Sequence, residues 1–206
     1  MSRNRMKGFS LVELLVVVLI ALIIVAYAVP SAVRMTHKMK LKSAAGEYQN
    51  LLQQARVRAV QDDQFYQTVV QNATVGTPNS AFIDLQKNGI YVAADPMVSF
   101  DAEVVPSTVG PGGLANLEGQ FLPAGTFAVV QAGQTPFFSP RGLPCRPTVI
   151  GLYTTCNTMN SGQPSAYITY FQNLASNDWM AVTVSPAARI RLFTYDNTTS
   201  TWTAMD

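Results

Sequence analysis

The hydrophobic pattern of the chain is dominated by one apolar run near the N-terminus, residues 9–33. Glu13 is the only charged side chain between Lys7 and Arg34. The run exceeds the roughly 20 residues that an α-helix needs to cross the hydrocarbon core of a bilayer. It therefore predicts a membrane helix with one carboxylate near its start. Because a carboxylate in lipid costs about 2.5–3.5 kcal/mol on insertion scales, we expect a partner to be supplied for Glu13.

The pattern becomes amphipathic after residue 33. Apolar residues recur there at spacings of three and four with polar residues between them, which is typical of a helix with one buried face. They are Leu41, Ala44, Ala45, Tyr48, Leu51, Leu52, Ala55 and Ala59. No proline or strong turn signal intervenes between Pro30 and residue 62. We therefore predict one helix from Phe9 to about Gln61, whose second half, residues 34–61, lies on a globular domain.

Short β-type runs replace the helical period after Asp63. Val, Ile, Thr, Phe and Tyr dominate these runs, and Gly, Pro, Asn and Ser separate them. The predicted strands are 64–71, 81–85, 90–93, 97–104, 126–131, 148–153, 166–171, 179–184 and 189–195. Lys87-Asn88-Gly89 predicts a hairpin turn, and residues 105–125, rich in Gly and Pro, predict a long surface loop. The fold class is therefore α+β, with a long N-terminal helix packed on a mostly antiparallel β domain at 62–206.

Length and charge limit the function classes. A chain of 206 residues has room for one membrane segment and one globular domain. Arg3, Arg5 and Lys7 form a basic head that favours a cytoplasmic amino end, which places the β domain across the membrane. Without these three residues, 11 basic side chains stand against 12 acidic ones, so a generally basic nucleic-acid-binding surface is not expected.

The sequence offers no recognisable arrangement for catalysis. His37 is the single histidine, so neither a Ser-His-Asp nor a Cys-His arrangement can be built around a second one. It lies among Arg34, Lys38 and Lys40, where we expect a basic collar just outside the membrane rather than a proton switch or a metal ligand. No paired carboxylates, metal cluster or phosphate-binding glycine motif stands out. We therefore predict a protein that is not an enzyme and uses no cofactor.

Cys145 and Cys156 are the only cysteines. In an oxidising compartment, two cysteines in a loop-rich segment favour a disulfide, stabilising by about 3 kcal/mol in the chain-entropy model. A metal site is the alternative, but it needs further ligands, and the lone histidine is far away in sequence.

The start of the apolar run resembles the type IV prepilin motif, which type IV pilins and the pseudopilins of type II secretion share. The residues concerned are Lys7-Gly8-Phe9-Ser10-Leu11-Val12-Glu13-Leu14. The resemblance implies that a prepilin peptidase removes residues 1–8 by cutting between Gly8 and Phe9, after which Phe9 is N-methylated. It also implies that Glu13 pairs with the free amino terminus of a neighbouring subunit, and that Pro30 is a helix-kinking proline. An ordinary membrane anchor with an accidental glutamate is the alternative.

The same resemblance implies where the protein is found and what it contacts. The expected location is the bacterial inner membrane, with a single pass at 9–33, a periplasmic domain, and later incorporation into a pilus or pseudopilus. The expected partners are other pilin or pseudopilin subunits, the prepilin peptidase, the inner-membrane assembly platform and inner-membrane lipid.

A second resemblance lies in the distal third. Phe138-Ser139-Pro140-Arg141-Gly142 and the segment from Ala181 through Arg189-Ile190-Arg191 are similar to the closing strands of the GspH/FimT group of minor pilins and pseudopilins. Some pilus members of that group bind DNA through a Gly-Arg-x-Arg motif, where this chain has Ala188 in place of the glycine.

Two hypotheses of different class follow. The first is a structural, minor subunit of a pilus or a type II secretion pseudopilus. The second is a DNA-binding minor pilin that uses Arg189 and Arg191, with Arg141 and Arg146 as the other cations of residues 119–206. Against DNA contact stands a simpler interpretation, in which Arg189 and Arg191 face solvent on an alternating strand while Ile190 and Leu192 pack inward.

Overall fold

The computed structural model describes residues 11–74, 77–112, 114–122, 129–132, 134–149, 152–157, 159–160 and 163–205. Helix α1 spans Leu11–Gln61 and helix α2 spans Leu114–Phe121. The chain divides into two compact units, which meet between His37 and Lys38. The first contains the apolar part of α1, and the second contains the amphipathic part of α1 and the β domain.

The strands of the second unit form two sheets. Their bounds are β1 Tyr66–Gln71, β2 Ser80–Asp84, β3 Met97–Ser99, β4 Val104–Ser107, β5 Val129–Ala132, β6 Phe137–Phe138, β7 Pro144–Val149, β8 Leu152–Asn157, β9 Met159–Asn160, β10 Gln163–Asn173, β11 Trp179–Val184, β12 Ile190–Asp196 and β13 Thr201–Met205. One sheet has the order β3-β2-β1-β6-β7-β8, and the other has the order β13-β12-β11-β10-β4, with β5 and β9 also paired to β10. Among these strands only β5 and β10 run parallel. The predicted α+β class with a mostly antiparallel domain is confirmed.

The buried stripe of α1 is the one that the sequence predicts. The eight apolar residues from Leu41 to Ala59 that recur at spacings of three and four are all buried. Tyr48 lies at the centre of the stripe, where its ring meets Phe171 edge-on and its hydroxyl lies 3.2 Å from Thr169 Oγ1. Burial raises the pKa of Tyr48, so this phenol stays neutral.

Strand β10 separates two hydrophobic clusters because its side chains alternate between the faces of the sheet. Tyr167 and Phe171 point into the cluster that contains the α1 stripe. Ala166, Ile168 and Tyr170 point into the cluster that contains α2. The sheet that contains β10 is therefore covered by α1 on one face and by α2 on the other.

Five of the predicted strands correspond to observed ones. The segments 64–71, 81–85, 166–171, 179–184 and 189–195 overlap β1, β2, β10, β11 and β12. The predicted strand 126–131 overlaps β5 from Val129 onward, and its residues 126–128 lie outside the described part of the chain.

The predicted strand at 90–93 is wrong, because buried carboxylates hold this segment as a loop. Asp84 accepts a hydrogen bond from Gly89 N at 2.6 Å. Asp95 accepts bonds from Leu85 N at 3.2 Å and Val92 N at 2.9 Å. These side chains occupy backbone donors that a strand would use in a ladder, so the turn at Lys87-Asn88-Gly89 leads on to β3 instead.

Two other predicted segments are divided differently. The predicted strand 97–104 contains β3 and the start of β4, which belong to different sheets. Asp101 Oδ1 accepts a bond from Glu103 N at 3.0 Å, which makes a turn between them. The predicted strand 148–153 contains the end of β7 and the start of β8, which pair as a hairpin through Val149 and Leu152.

The predicted surface loop at 105–125 is wrong in part: residues 108–112 form a loop and residues 113 and 123–125 lie outside the described part of the chain, but most of the remainder is regular structure. It contains most of β4 and all of α2. Leu117 and Phe121 of α2 are buried against the face of the β10 sheet that lies opposite α1. This burial explains why the Gly-rich segment folds as a helix.

The predicted disulfide is confirmed. Cys145 on β7 and Cys156 on β8 are bonded, with their Cα atoms 5.6 Å apart, a usual separation. The backbone carbonyl of Cys145 accepts a hydrogen bond from the buried hydroxyl of Tyr167 on β10. The disulfide-bonded hairpin is thereby attached to the central strand.

Gly110 allows the loop after β4 to lie directly on aromatic residues of the hydrophobic cluster that contains α2. A Cβ atom at this position would lie 2.3 Å from Cε1 of Tyr170. The next residue, Pro111, accepts a hydrogen bond from Trp202 Nε1 at 3.3 Å, and the rings of Tyr170 and Trp202 are 5.7 Å apart. Only glycine fits against Tyr170 here without a shift of the ring.

We predict that Gly110→Ala lowers the free energy of unfolding by about 1–3 kcal/mol, the usual cost of overpacking. Gly119→Ala is the matched control, because nothing lies within 4 Å of its Cβ position and Gly119 is in α2. There the exchange should stabilise by up to about 1 kcal/mol through helix propensity. Urea unfolding followed by tryptophan fluorescence measures both. A stabilising Gly110→Ala would contradict the close packing described here.

Candidate functional site

The first part of α1 exposes apolar side chains on every side. Each large apolar residue from Leu11 to Val33 is at least 47% exposed within this chain. Among the described residues, α1 contains the one window that is long and apolar enough to cross a membrane, with a mean hydropathy of 3.0 and none of the window buried. A surface of this kind requires lipid or the apolar surfaces of other chains around it.

The predicted assembly residues lie on this segment. Glu13 is in the first described turn of α1 and is exposed. Pro30 lies inside α1, and the helix continues on both sides of it. Proline has no N–H to donate to the carbonyl of Ala26, so this turn lacks one helix hydrogen bond. The predicted processing residues Gly8 and Phe9 lie outside the described part of the chain.

Lys40 begins the contact between α1 and the β domain. Its Nζ atom lies 3.2 Å from both Glu103 Oε2 and Asp101 Oδ2. These hydrogen bonds raise the pKa of Lys40. Lys40 therefore contacts the folded β domain, whereas the sequence predicts that it belongs to a basic collar just outside the membrane.

The distal arginines follow a tight turn between β11 and β12. Ser185 and Arg189 are joined by a bond from Ser185 N to the Arg189 carbonyl at 2.9 Å and by one from Arg189 N to Ser185 Oγ at 3.1 Å. Ala188 has a φ of 59°, which glycine adopts at lower cost, and its methyl group is buried. Ala188 therefore adopts a left-handed backbone conformation that glycine takes more readily.

Arg56 on α1 holds two turns at once, a role that the sequence does not reveal. Its Nε donates to the Gly142 carbonyl at 3.1 Å, and its Nη1 donates to the Ala188 carbonyl at 3.2 Å. Gly142 has a φ of 71°, and a Cβ there would lie 3.0 Å from Val60 of α1. The turn that carries Arg141 and the turn that carries Arg189 are thus fixed to the same helix.

Arg189 and Arg191 line one cavity of about 420 Å³, which we call the arginine cavity. Its other walls are the end of α2 and the β11–β12 turn, namely Gln120, Phe121, Leu122, Thr183, Ser185, Pro186 and Ala187. Neither arginine has a carboxylate partner among the residues that the structure describes. Arg141, in the turn after β6, and Arg146, on β7, are not among the lining residues.

The alternation predicted for residues 189–192 is confirmed in part: Ile190 and Leu192 point inward, but the face that carries Arg191 also carries the buried Phe193. Ile190 is buried and Leu192 packs partly buried in the cluster that contains the α1 stripe. Arg189 is exposed, and Arg191 is half-buried. The inward and outward directions alone do not separate the two interpretations of the arginines, because the outward residues line a cavity.

The described residues contain no group of three His, Cys, Asp or Glu side chains that could hold a metal ion. Both cysteines are engaged in the disulfide. At the arginine cavity, two guanidinium groups are available to recognise an anion.

Comparison with known proteins gives one match. The family model of the prokaryotic N-terminal methylation motif matches residues 3–29. This segment includes the predicted cleavage position, Glu13 and most of the apolar run. No curated protein and no solved structure matches the chain.

We predict that Arg56→Ala lowers the free energy of unfolding by about 1–2 kcal/mol, because two backbone carbonyls lose a charged donor. The loss should be accompanied by faster amide exchange at Ala188 N, which is bonded to the Ser185 carbonyl at 2.8 Å. Arg141→Ala, which removes the same charge from an exposed position, should change neither quantity measurably. Equal exchange in the Arg56 variant and the parent would show that Arg56 does not fix the turn.

Proposed function

We propose that this chain is a non-enzymatic, minor subunit of a type IV pilin-like filament, either a pilus or a type II secretion pseudopilus. The N-terminal methylation motif carries the proposal. The exposed apolar segment of α1 and the long helix followed by an antiparallel β domain support it. In this proposal the chain works by assembling and not by catalysis.

Assembly requires a positive partner for Glu13. Cleavage after Gly8 creates a new amino group on Phe9. Each processed chain therefore carries both this amino group and the carboxylate of Glu13. The amino terminus of a neighbouring subunit then pairs with Glu13, while residues 9–33 of both chains pack together. The pair offsets the cost of holding each charge in an apolar surrounding, about 2.5–3.5 kcal/mol for the carboxylate on insertion scales.

The subunit is stored in the inner membrane before assembly, with the β domain in the periplasm. Its partners are then the prepilin peptidase, the assembly platform and the other pilin or pseudopilin subunits. Placement in the GspH/FimT group is the finer part of the proposal, and it rests on the segments around Arg141 and Arg189.

The direct test is mass spectrometry of the protein isolated from its native cells. The expected N-terminal peptide begins at Phe9 and carries one methyl group on its amino nitrogen. A mature protein that still begins before Gly8 would leave a plain membrane-anchored domain and would overturn the filament proposal.

We predict that Glu13→Ala leaves processing intact but reduces the fraction of the subunit found in sheared filaments by about tenfold, the effect of losing about 1.4 kcal/mol of pairing. Leu22→Ala, a change at another exposed position of the same segment, serves as the control and should reduce incorporation much less. Immunoblots of sheared and membrane fractions give the ratio. Normal incorporation of the Glu13 variant would disprove the pairing mechanism.

DNA binding is the second candidate, favoured by one observation. The turn with Ala188 forms despite the missing glycine, and it places Arg189 and Arg191 at one cavity. With four distal arginines at most, binding would be modest and would weaken with salt by about 0.9 log units per phosphate contact.

For this candidate we predict that the double variant Arg189→Ala, Arg191→Ala lowers the affinity for duplex DNA and makes its salt slope shallower by about two phosphate contacts. Gel shifts of the full chain in uncharged detergent, at several salt concentrations, measure both. Identical slopes for the variant and the parent would remove the DNA-binding candidate without affecting the filament proposal.

A further inference from the structure

We propose that the arginine cavity is a binding site for a small amphipathic organic anion, a phosphate or carboxylate joined to a ring or a short alkyl body. The inference does not depend on filament assembly. It follows from the charge, the apolar walls and the size of the cavity.

The charge of the cavity is positive and uncompensated by its own walls. Arg189 and Arg191 contribute two guanidinium groups, and among the residues that the structure describes no acidic side chain lines the cavity. A guanidinium group presents planar, paired donors that match the oxygens of a phosphate or a carboxylate. Cations and basic ligands are therefore disfavoured here.

The two hydroxyl groups of the cavity are already engaged by the backbone. Ser185 Oγ accepts a hydrogen bond from Arg189 N at 3.1 Å. Thr183 Oγ1 donates to the Arg191 carbonyl at 3.5 Å, a long bond. Both contacts engage these hydroxyl groups within the chain, so the two arginines and the amide of Gln120 remain as polar groups for recognition.

One wall of the cavity is apolar. Phe121 and Leu122 are 6% and 7% exposed and belong to the cluster under α2, where the ring of Phe121 meets Phe193. Pro186 and Ala187 of the turn complete this wall. An inorganic anion would leave it in contact with water, whereas a ring or alkyl group covers it and gains from desolvation.

The size of the cavity agrees with a small ligand. A volume of about 420 Å³ lies in the lower part of the range of small-molecule sites, about 300–1,000 Å³. A phosphate backbone is bound through charge and hydrogen bonds and offers no apolar group for the Phe121 and Leu122 side, so the apolar lining distinguishes this ligand class from the backbone of a nucleic acid.

The probe for the test is 4-fluorophenyl phosphate, titrated into the full-length chain in uncharged detergent micelles and followed by fluorine NMR. Empty micelles measure partition of the probe into detergent. We expect saturable binding to the protein. Inorganic phosphate and 4-fluorophenol should each compete about tenfold more weakly than unlabelled phenyl phosphate, because the first lacks the ring and the second lacks the phosphate.

Three variants locate the site. The double variant Arg189→Ala, Arg191→Ala should lose about tenfold or more in affinity, as expected for charged hydrogen bonds. Ala187→Asp, a change at an exposed turn position that lines the cavity, should also lose about tenfold by placing a carboxylate beside the arginines. Arg141→Ala removes a distal positive charge outside the cavity and should bind within about twofold of the parent.

The proposal is overturned by any of three results. These are no saturable binding above the empty micelles, equal competition by inorganic and phenyl phosphate, or unchanged binding in both cavity variants. If DNA binds but the aryl phosphate does not, the site recognises a phosphate backbone, and the amphipathic-anion proposal fails while the DNA-binding candidate stands.

Discussion

The constraint on which this protein depends is that the first part of α1 has no polar face. Apolar residues cover all sides of the helix from Leu11 to Val33, and Glu13 is the one charge among them. Burying the apolar surface in lipid or against other helices is strongly favourable, whereas burying the carboxylate alone is costly. Both requirements are met when the same surrounding supplies apolar contacts and one positive charge.

The β domain solves a different packing problem with the same helix. From Leu41 onward one stripe of α1 is buried, and its small residues, such as Ala45 and Ala55, let the helix lie close to the sheet. The other face of that sheet is covered by α2 and by Trp202, so strand β10 is buried from both sides. A strand of this kind has side chains that are apolar in both directions, which is why alternation is weak in its sequence.

Sequence patterns predict the features that arise from local periodicity. The α1 stripe and the main hairpin strands are of this kind, whereas the disulfide is predicted from the presence of two cysteines in an oxidising compartment. The missed features depend on contacts between distant residues. Helix α2 is only eight residues long and offers the short apolar pattern Leu114, Leu117 and Phe121, and Leu117 and Phe121 pack in the cluster beneath it. The loop near Val92 has a strand-like composition, yet the carboxylates of Asp84 and Asp95 take its backbone donors.

The candidate site was likewise predictable only where residue type alone points to it. The sequence identifies Glu13 and the distal arginines as residue types, and the methylation motif supports the former. It does not reveal that Arg189 and Arg191 share a cavity with the end of α2, because that neighbour is far away in the chain. Arg56 reads as an ordinary polar residue of an amphipathic helix, and its role is visible only from the two carbonyls that it reaches.

The two bonds of Arg56 also have a mechanical consequence. One guanidinium group links the turn of Gly142 and the turn of Ala188 to the same point on α1. A displacement of α1 at Arg56 would therefore act on both turns, and through the second turn on Arg189 at the cavity. A force on the helix would thus reach the surface around Arg189, which is formed by strands far from α1 in sequence.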